Sequence, residues 1–518
     1  MNVTDEAKAK EDLERALGSG QPDAIARAVI WNIWPLFSAH YDLLVSAVVS
    51  LPSSVLERYP AIRLLHPLTP VLARTTRPFK PLVYPDDART MSADELDMLT
   101  LVQLIAFRFS GDVAASLIYA RRLEDRILQV PNETRERADG PLWYFHHQIG
   151  STLLAAGDSS RALLEFATAR QLGKHSHQPD AERLALGRTA LAHAVRGSLE
   201  DADVALAEAT HQPPPTAAHV NSCLMTERTA AALIAVERMD DDIDDLLAGL
   251  DPYDSIEMAW PFALLARARA LLVRRRAADA LEAIRLANDA HPAQHGSFAS
   301  DVISSTSIEA FCALGDIPGA RRIAEENTRA GVFTSAATVR LDIHEGRFDQ
   351  AEHGVRRILA DRTIGPGQRA KAVLLSAWLE VARTGSLDRE TALRIARRAE
   401  TRNYRRLLAT LPLQVIDSVR VHLTTDEARR FDENTAGLMH AEARSRPTLT
   451  GGELRVLNAL LEHGTTAEIA SAFHVSPNTI KSQLKSLYRK LGCATRGDAL
   501  KTAARFHLLT SEKNENRA

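Results

Sequence analysis

Apolar residues recur three or four positions apart along almost the whole chain, which is the spacing of one face of an α-helix. Alanine and leucine, both strong helix formers, are abundant, and alternating runs of β-branched residues are rare. The pattern therefore predicts an all-α protein. It is interrupted twice. Residues 67–85 contain five prolines, which forbid a continuous helix and predict a long loop, and residues 441–447 (AEARSRP) are typical of a linker.

Between the two interruptions the pattern predicts repeated helical hairpins. In the segment HQIGSTLLAAGDSSRALLEFATAR, Gly150 is expected where two helices approach closely, and Gly157 with Asp158 is expected to form the turn. Three residues, Ala162, Phe166 and Ala169, would form the inner stripe of the second helix. This segment resembles the tetratricopeptide repeat, in which helical hairpins interlock through alternating small and large residues.

Similar units follow further turns, with a small or apolar residue five positions after each one. These eight positions are Ser116, Ala162, Ala202, Ile243, Ala280, Ala320, Ala351 and Ala392. Their intervals are longer and less regular than the roughly 34 residues of a standard tetratricopeptide repeat. The alternative is a helical array without a true repeat. In both cases each hairpin has two apolar faces and needs stacked neighbours.

The C-terminal segment has strong helix-start signals. Thr450 with Glu453 and Thr465 with Glu468 have the spacing of capping boxes, so a helix is expected to begin at each pair. The first helix would bury Leu454, Leu457, Leu460 and Leu461, and the second Ile469, Ala470 and Phe473. A tight turn follows, and Ser476 as N-cap with Pro477 at the first helical position predicts a third helix over Pro477–Leu491.

The third helix has two contrasting faces at about 100° per residue. One face is the apolar stripe Ile480, Leu484, Leu487 and Leu491. The opposite face carries basic and hydrogen-bonding side chains, namely Asn478, Lys481, Ser482, Lys485 and Arg489. Two short helices, a tight turn and a basic third helix predict a helix-turn-helix whose third helix enters the major groove of DNA.

This segment resembles the LuxR-type DNA-binding domain across about sixty residues. The resemblance is carried by Leu449-Thr450, Glu453, Val456-Leu457, Glu468-Ile469-Ala470, Val475-Ser476, Thr479-Ile480-Lys481, Lys490-Leu491-Gly492, Arg496 and Ala499. The chain departs from the family pattern at Gly452, Gly464 and Thr466. With the face assignment, the resemblance implies base-edge contacts from Lys481, Ser482 and Lys485.

Other residues would hold the DNA backbone or a second subunit. Phosphate contacts are expected from Thr466, Asn478, Thr479 and Arg489, and Ser476 and Lys490 are placed in the same interface. The resemblance also implies a homodimer on DNA through the last helix, near residues 495–506, with Ala499, Leu500 and Ala503 in the contact. The alternative is that these three residues pack on the preceding helices.

Together these patterns predict five parts of the chain. They are an N-terminal helical segment with a proline-rich loop (1–95), tetratricopeptide-like repeats forming a superhelix (96–440), a linker (441–447), a four-helix LuxR-type domain (448–510) and a polar tail (511–518). The near-match Gly173-Lys174 fails the P-loop pattern, so we do not expect the ATPase module of the large LuxR-type regulators.

Charge and cysteine content narrow the function further. The 518 residues carry a net charge of −3, but residues 447–518 contain 10 Lys/Arg and 6 Asp/Glu, so a basic tail follows an acidic body. Three scattered cysteines, an N-terminus without an apolar signal region and the lack of a long apolar run favour a cytoplasmic protein without a membrane span. We expect no metal, cofactor or catalytic site.

The sequence therefore predicts a transcription regulator. Its repeats would sense a peptide, a protein or a small effector, and its C-terminal domain would bind double-stranded promoter DNA. The alternative is an interaction scaffold whose basic tail binds without sequence preference.

Overall fold

A computed structural model describes residues 3–59, 62, 91–253, 259–291, 297–327, 330–440, 449–491, 493, 495–505 and 508–509. The described residues are all-α. The chain divides into two compact units, one of Met1–Leu341 with Asp349–Glu442 and one of Asp342–Phe348 with Ala443–Ala518. Among the described residues, no helix is both long enough and apolar enough to cross a bilayer.

The N-terminal part of the larger unit is a cluster of short helices with its own core. Its helices are α1 (Val3–Ser19), α2 (Pro22–Trp31), α3 (Ile33–Ala39), α4 (Tyr41–Val49) and α5 (Ser53–Arg58). Leu13, Val29, Leu36 and Leu44 are fully buried at its centre. The predicted proline-rich loop at residues 67–85 lies outside the described residues.

The remainder of the larger unit consists of antiparallel helical hairpins and the short helices between them. The first helices are α6 (Ala93–Phe109), α7 (Val113–Gln129), α8 (Glu133–Glu136), α9 (Leu142–Ala155), α10 (Ser159–Gly173), α11 (Ala181–Arg196), α12 (Leu199–Thr210), α13 (Val220–Arg238) and α14 (Ile243–Ala248). They are followed by α15 (Trp260–Val273), α16 (Ala277–Ala290), α17 (Phe298–Leu314), α18 (Ile317–Glu326), α19 (Val332–His344), α20 (Phe348–Ala360), α21 (Pro366–Thr384) and α22 (Arg389–Ala399). A 3₁₀ turn (Arg402–Tyr404) leads to α23 (Arg405–Ala409), α24 (Leu413–Arg420) and α25 (Thr425–Thr435).

The eight positions predicted five residues after the turns are all buried. Ile243 is 7 % exposed and the other seven are fully buried. The α9–α10 hairpin shows why small residues are needed, because a Cβ on Gly150 would lie 2.7 Å from the Phe166 ring. Gly157 has φ +89° and makes the turn, and Asp158 caps α10 by accepting from the Arg161 N–H. The hairpins and their inner stripes are therefore confirmed, whereas their membership of the tetratricopeptide class stays a prediction.

Helices far apart in sequence also meet in the larger unit. The loop before α21 and the first turn of α21 contact the end of α11, and we call this contact the clasp. The Val195 carbonyl accepts from Gln368 Nε2 at 2.9 Å, and Arg196 Nη1 donates to the Thr363 carbonyl at 3.0 Å. Gly197 and Gly367 touch through their backbones, since a Cβ on Gly197 would lie 2.5 Å from Gly367 Cα. An open solenoid contacts only neighbouring repeats, so this clasp is a feature that the repeat pattern did not predict.

The smaller unit contains four helices at the C-terminal end. They are α26 (Gly451–Glu462), α27 (Thr466–Ala472), α28 (Pro477–Leu491) and α29 (Arg496–Arg505). Among the residues described there, twelve buried side chains build their shared core, including Val456, Leu457, Ile469, Ile480 and Leu487. The predicted linker at 441–447, Phe506 and the polar tail at 511–518 lie outside the described residues.

Candidate nucleic-acid interface

The third helix of the smaller unit begins where the capping pattern predicts. Ser476 Oγ accepts from the Thr479 N–H at 3.2 Å and lies 2.9 Å from Thr479 Oγ1. Pro477 occupies the first helical position, where its missing N–H costs no hydrogen bond. The two preceding helices start at complete capping boxes, Thr450 with Glu453 and Thr465 with Glu468. All three predicted helix starts are confirmed.

A tight turn connects α27 to α28. His474 has φ +54°, a left-handed conformation that a side chain adopts at some cost. The Val475 N–H donates to the Ala470 carbonyl at 3.0 Å, and the His474 N–H donates to the Ser471 carbonyl at 3.2 Å. These bonds close the end of α27 and fix the direction in which α28 leaves the turn.

The two faces of α28 separate as predicted. Ile480 and Leu487 are fully buried, Leu491 is 6 % exposed, and Leu484 packs at the edge of the same core. On the opposite face, the exposed residues include Asn478, Thr479, Lys481, Ser482 and Lys485. A helix anchored by one apolar stripe thus presents two ammonium groups, an amide and two hydroxyls to solvent.

Two other residues predicted to contact DNA are Thr466 and Arg489. Thr466 is half-buried at the start of α27. The side chain of Arg489 lies outside the described residues, although its backbone belongs to α28.

The comparison with protein families matches this same part of the chain. Residues 447–503 match GerE, the family of bacterial regulatory proteins of the luxR type. The segment is a LuxR-type DNA-binding domain. The domain indicates a DNA-binding transcription regulator. The match spans only the C-terminal part, and no curated protein matches the chain.

Lys490 has an ion-pair partner within the LuxR-type domain. It is predicted in the DNA interface, and its Nζ lies 2.7 Å from Oε2 of the buried Glu453, although the residue is exposed. Glu453 also accepts from Ser486 Oγ at 2.8 Å and from the Thr450 N–H at 2.7 Å. Burial opposes ionisation of Glu453, but the hydrogen bonds from Lys490, Thr450 and Ser486 hold its pKa at about 2. The Lys490 ammonium therefore links α28 to α26, while the residue itself remains exposed.

Arg496 has a structural role that sequence reasoning missed. Its guanidinium donates to the Gly464 carbonyl at 2.6 Å and to the carbonyls of Leu460 and His463. These carbonyls end α26, where helical partners are lacking and the helix dipole favours a cation. The resemblance named Arg496 as a family position, but only the fold shows which helix end it satisfies.

Two predictions of buried apolar residues are wrong. Leu461 is 55 % exposed and Phe473 is 36 % exposed. The buried face of α26 is centred on Val456 and Glu453, which turns Leu461 toward solvent. Phe473 lies beyond the end of α27, in the turn that leads to α28.

The three residues predicted at a dimer contact lie mainly in the domain core. Ala499 and Ala503 are fully buried, and Leu500 packs partly buried against the same core. The two alanines thus match the alternative in which this helix packs on the preceding three, while Leu500 alone retains an accessible surface. Within the described residues, no group of three or more His, Cys, Asp or Glu side chains is arranged to hold a metal ion.

Proposed function

We propose that the protein regulates transcription by binding promoter DNA with α28 in the major groove. The observation that supports this proposal is the exposed face of α28, set opposite a fully buried apolar stripe. On this proposal Lys481, Ser482 and Lys485 contact base edges, and Asn478 and Thr479 contact phosphates. Thr466, Ser476, Arg489 and Lys490 complete the predicted interface. A cytoplasmic location follows, because a bacterial regulator must reach the chromosome.

The test uses DNA sequences that the full chain selects from a random duplex library. The double variant Lys481→Ala/Lys485→Ala should bind the selected duplex at least about 30-fold more weakly, since each of the two base contacts is worth roughly 1–3 kcal/mol. Its affinity for a scrambled duplex should fall much less. The charge-matched control is Lys8→Ala/Lys10→Ala, which removes two exposed lysines from α1 and should leave both affinities unchanged.

The salt dependence separates sequence readout from general attraction. A scaffold with a merely basic tail would select no sequence, and the α28 variant would then lose affinity equally for all duplexes with a smaller salt slope. That result would overturn the proposal. A preserved salt slope with lost selectivity supports it.

We further propose that the larger unit senses an effector and thereby changes DNA binding. An effector can do this only by favouring one arrangement of the chain over another. Comparing the DNA affinity of the full chain with that of residues 448–510 tests the coupling. Equal affinities and equal stoichiometries would contradict it.

A homodimer on DNA remains part of the proposal, with Leu500 as the contact residue. Leu500→Asp should reduce the fraction of dimer on a two-half-site duplex in sedimentation velocity, while the isolated half-site still binds. Dimerisation unchanged by this variant would exclude α29 as the contact.

A further inference from the structure

The larger unit contains a cleft in which four arginines stand among apolar side chains. It encloses about 540 Å³ of empty space, including its open mouth. Four arginines, Arg269, Arg275, Arg340 and Arg406, contribute to its lining, and Glu309 is the single carboxylate there. These five residues lie on α15, α17, α19 and α23 and, for Arg275, in the turn after α15. The cleft therefore forms only when these four helices pack together.

The cleft continues into two neighbouring hollows. One shares Arg269 and Arg406 with it and adds Glu237 and Lys371. The other shares Arg340 with it and is lined otherwise mostly by apolar side chains, including Leu374, Leu375, Trp378 and Leu411. A cationic site thus lies beside an apolar one.

The ion pairs in this region leave an excess of positive charge. Glu237 Oε1 accepts from both Arg269 Nη1, at 2.8 Å, and Arg406 Nε, at 2.7 Å. Lys371 Nζ lies 2.6 Å from Glu309 Oε1. Two carboxylates therefore face five cations across the cleft and its neighbours, in a chain whose net charge is −3.

Two arginines have no carboxylate partner. Among the described residues no carboxylate lies within 4 Å of the Arg340 guanidinium, which instead lies over the Trp378 ring, 5.5 Å from the ring centroid. Arg340 Nε is buried without a hydrogen-bond partner. At the mouth, the exposed Arg275 donates only to the backbone carbonyls of Met439 and His440.

Arg275 is exposed, but the four other cations, which are half-buried or buried, still outnumber the two carboxylates, and buried charge in excess is costly unless an anion balances it. Burial lowers the pKa of Lys371, and it lowers the pKa of Arg269 to about 10, although the carboxylates oppose both shifts. Arg269 nevertheless stays protonated near neutral pH. A third carboxylate, Asp301, lies outside the lining, and its oxygens accept from the backbone N–H groups of Phe333 and Thr334.

We propose that this cleft binds a small organic anion that carries at least two negative charges as carboxylate or phosphate groups. Arginine forks match both kinds of oxyanion, and the apolar side chains of the same lining, such as Leu272, Val273 and Ala409, would contact the uncharged part of the molecule. The inference deepens the proposed effector sensing, but anion binding itself does not depend on DNA binding.

Isothermal titration of the full chain without DNA tests the site, with citrate and pyrophosphate as separate probes at fixed ionic strength. One equivalent of at least one probe should bind. The double variant Arg275→Gln/Arg340→Gln should weaken that binding at least tenfold, because neither arginine holds a carboxylate of the fold. Arg27→Gln/Arg285→Gln, which changes exposed arginines of α2 and α16, should bind as the wild type does.

Each outcome decides the proposal. Preference for citrate assigns carboxylates, and preference for pyrophosphate assigns phosphates. Heat from neither probe beyond that of sodium chloride, or equal binding by the cleft variant, would overturn the site. Should the arginine variant fail to fold, Ala313→Phe fills the cleft from its exposed rim and must also abolish binding. DNA affinity measured with and without the bound probe then tests the coupling separately.

Discussion

Glu453 shows how a single side chain can both cap its own helix and join it to a second helix of a small domain. It completes a capping box, accepts from Ser486 and pairs with Lys490, while only 5 % of its surface is exposed. A sequence pattern identified the capping box, because its spacing is local. The partners from α28 lie more than thirty residues away, and no local spacing predicts them.

The low pKa of Glu453 makes the stability of the domain depend on pH. A folded-state pKa of about 2, below the ordinary 4.5, stabilises the fold above about pH 5, and this contribution is lost as the pH falls from 4.5 toward 2. Glu453→Gln should cost about 2 kcal/mol at pH 7 and remove this acid dependence. Urea unfolding of residues 448–510, followed by circular dichroism, measures both effects.

Glu462→Gln is the matched control for this prediction, because Glu462 is an exposed residue of the same helix. Its unfolding free energy should change by less than about 0.5 kcal/mol. If both variants lost the same stability, the network around Glu453 would not be the cause.

At the scale of elements, the sequence predicted where helices begin and end better than it predicted which of their faces is buried. The capping and amphipathic patterns predicted α28 with the bounds that the structure has, Pro477–Leu491. The same reasoning placed Leu461 inside because it considered leucines alone. The buried face of α26 is rotated toward Glu453, a charged residue that hydrophobic periodicity counts as exposed.

The C-terminal end of α26 depends on Arg496 from another helix. Arg496→Gln would leave the carbonyls of Leu460, His463 and Gly464 with fewer donors and remove a cation from the negative helix end. We expect residues 448–510 to lose about 1–2 kcal/mol of unfolding free energy.

Arg455→Gln provides the comparison, since Arg455 is an exposed arginine of α26 itself. It should leave the urea midpoint within error of the wild type. A similar loss in both variants would indicate a general effect of net charge instead of the capping of this helix.

At the scale of the whole molecule, the sequence predicted the class of fold and the buried turn positions but not the long-range packing. The spacing of small residues identifies which face of each hairpin is inward, and the eight positions are indeed buried. It does not reveal which hairpins meet. The sequence therefore did not predict that the cleft arginines lie together, because Arg269 and Arg406 are separated by more than a hundred residues.

The contact between Gly197 and Gly367 gives a prediction at this scale. A Cβ on Gly367 would lie 2.9 Å from Gly197 Cα and 3.0 Å from the Arg196 carbonyl oxygen, both backbone atoms that cannot turn aside. Gly367→Ala should therefore destabilise the larger unit by about 1–3 kcal/mol. Denaturant unfolding of the full chain, followed by tryptophan fluorescence, measures the change.

Gly18→Ala is the control, because a Cβ there meets nothing within 4 Å and Gly18 lies inside α1. It should leave stability unchanged or raise it by up to about 1 kcal/mol. Equal losses in the two variants would mean that the clasp is not the sensitive point.

The clasp at Gly197 and Gly367 also bears on how the larger unit comes apart. A linear array can lose its terminal repeats one at a time, since each repeat is held only by its neighbours. Here a backbone contact joins residues that are 170 positions apart, so the segment between them is held at both of its ends. Its helices should therefore open together, and hydrogen exchange across α12 to α20 should proceed as one cooperative event.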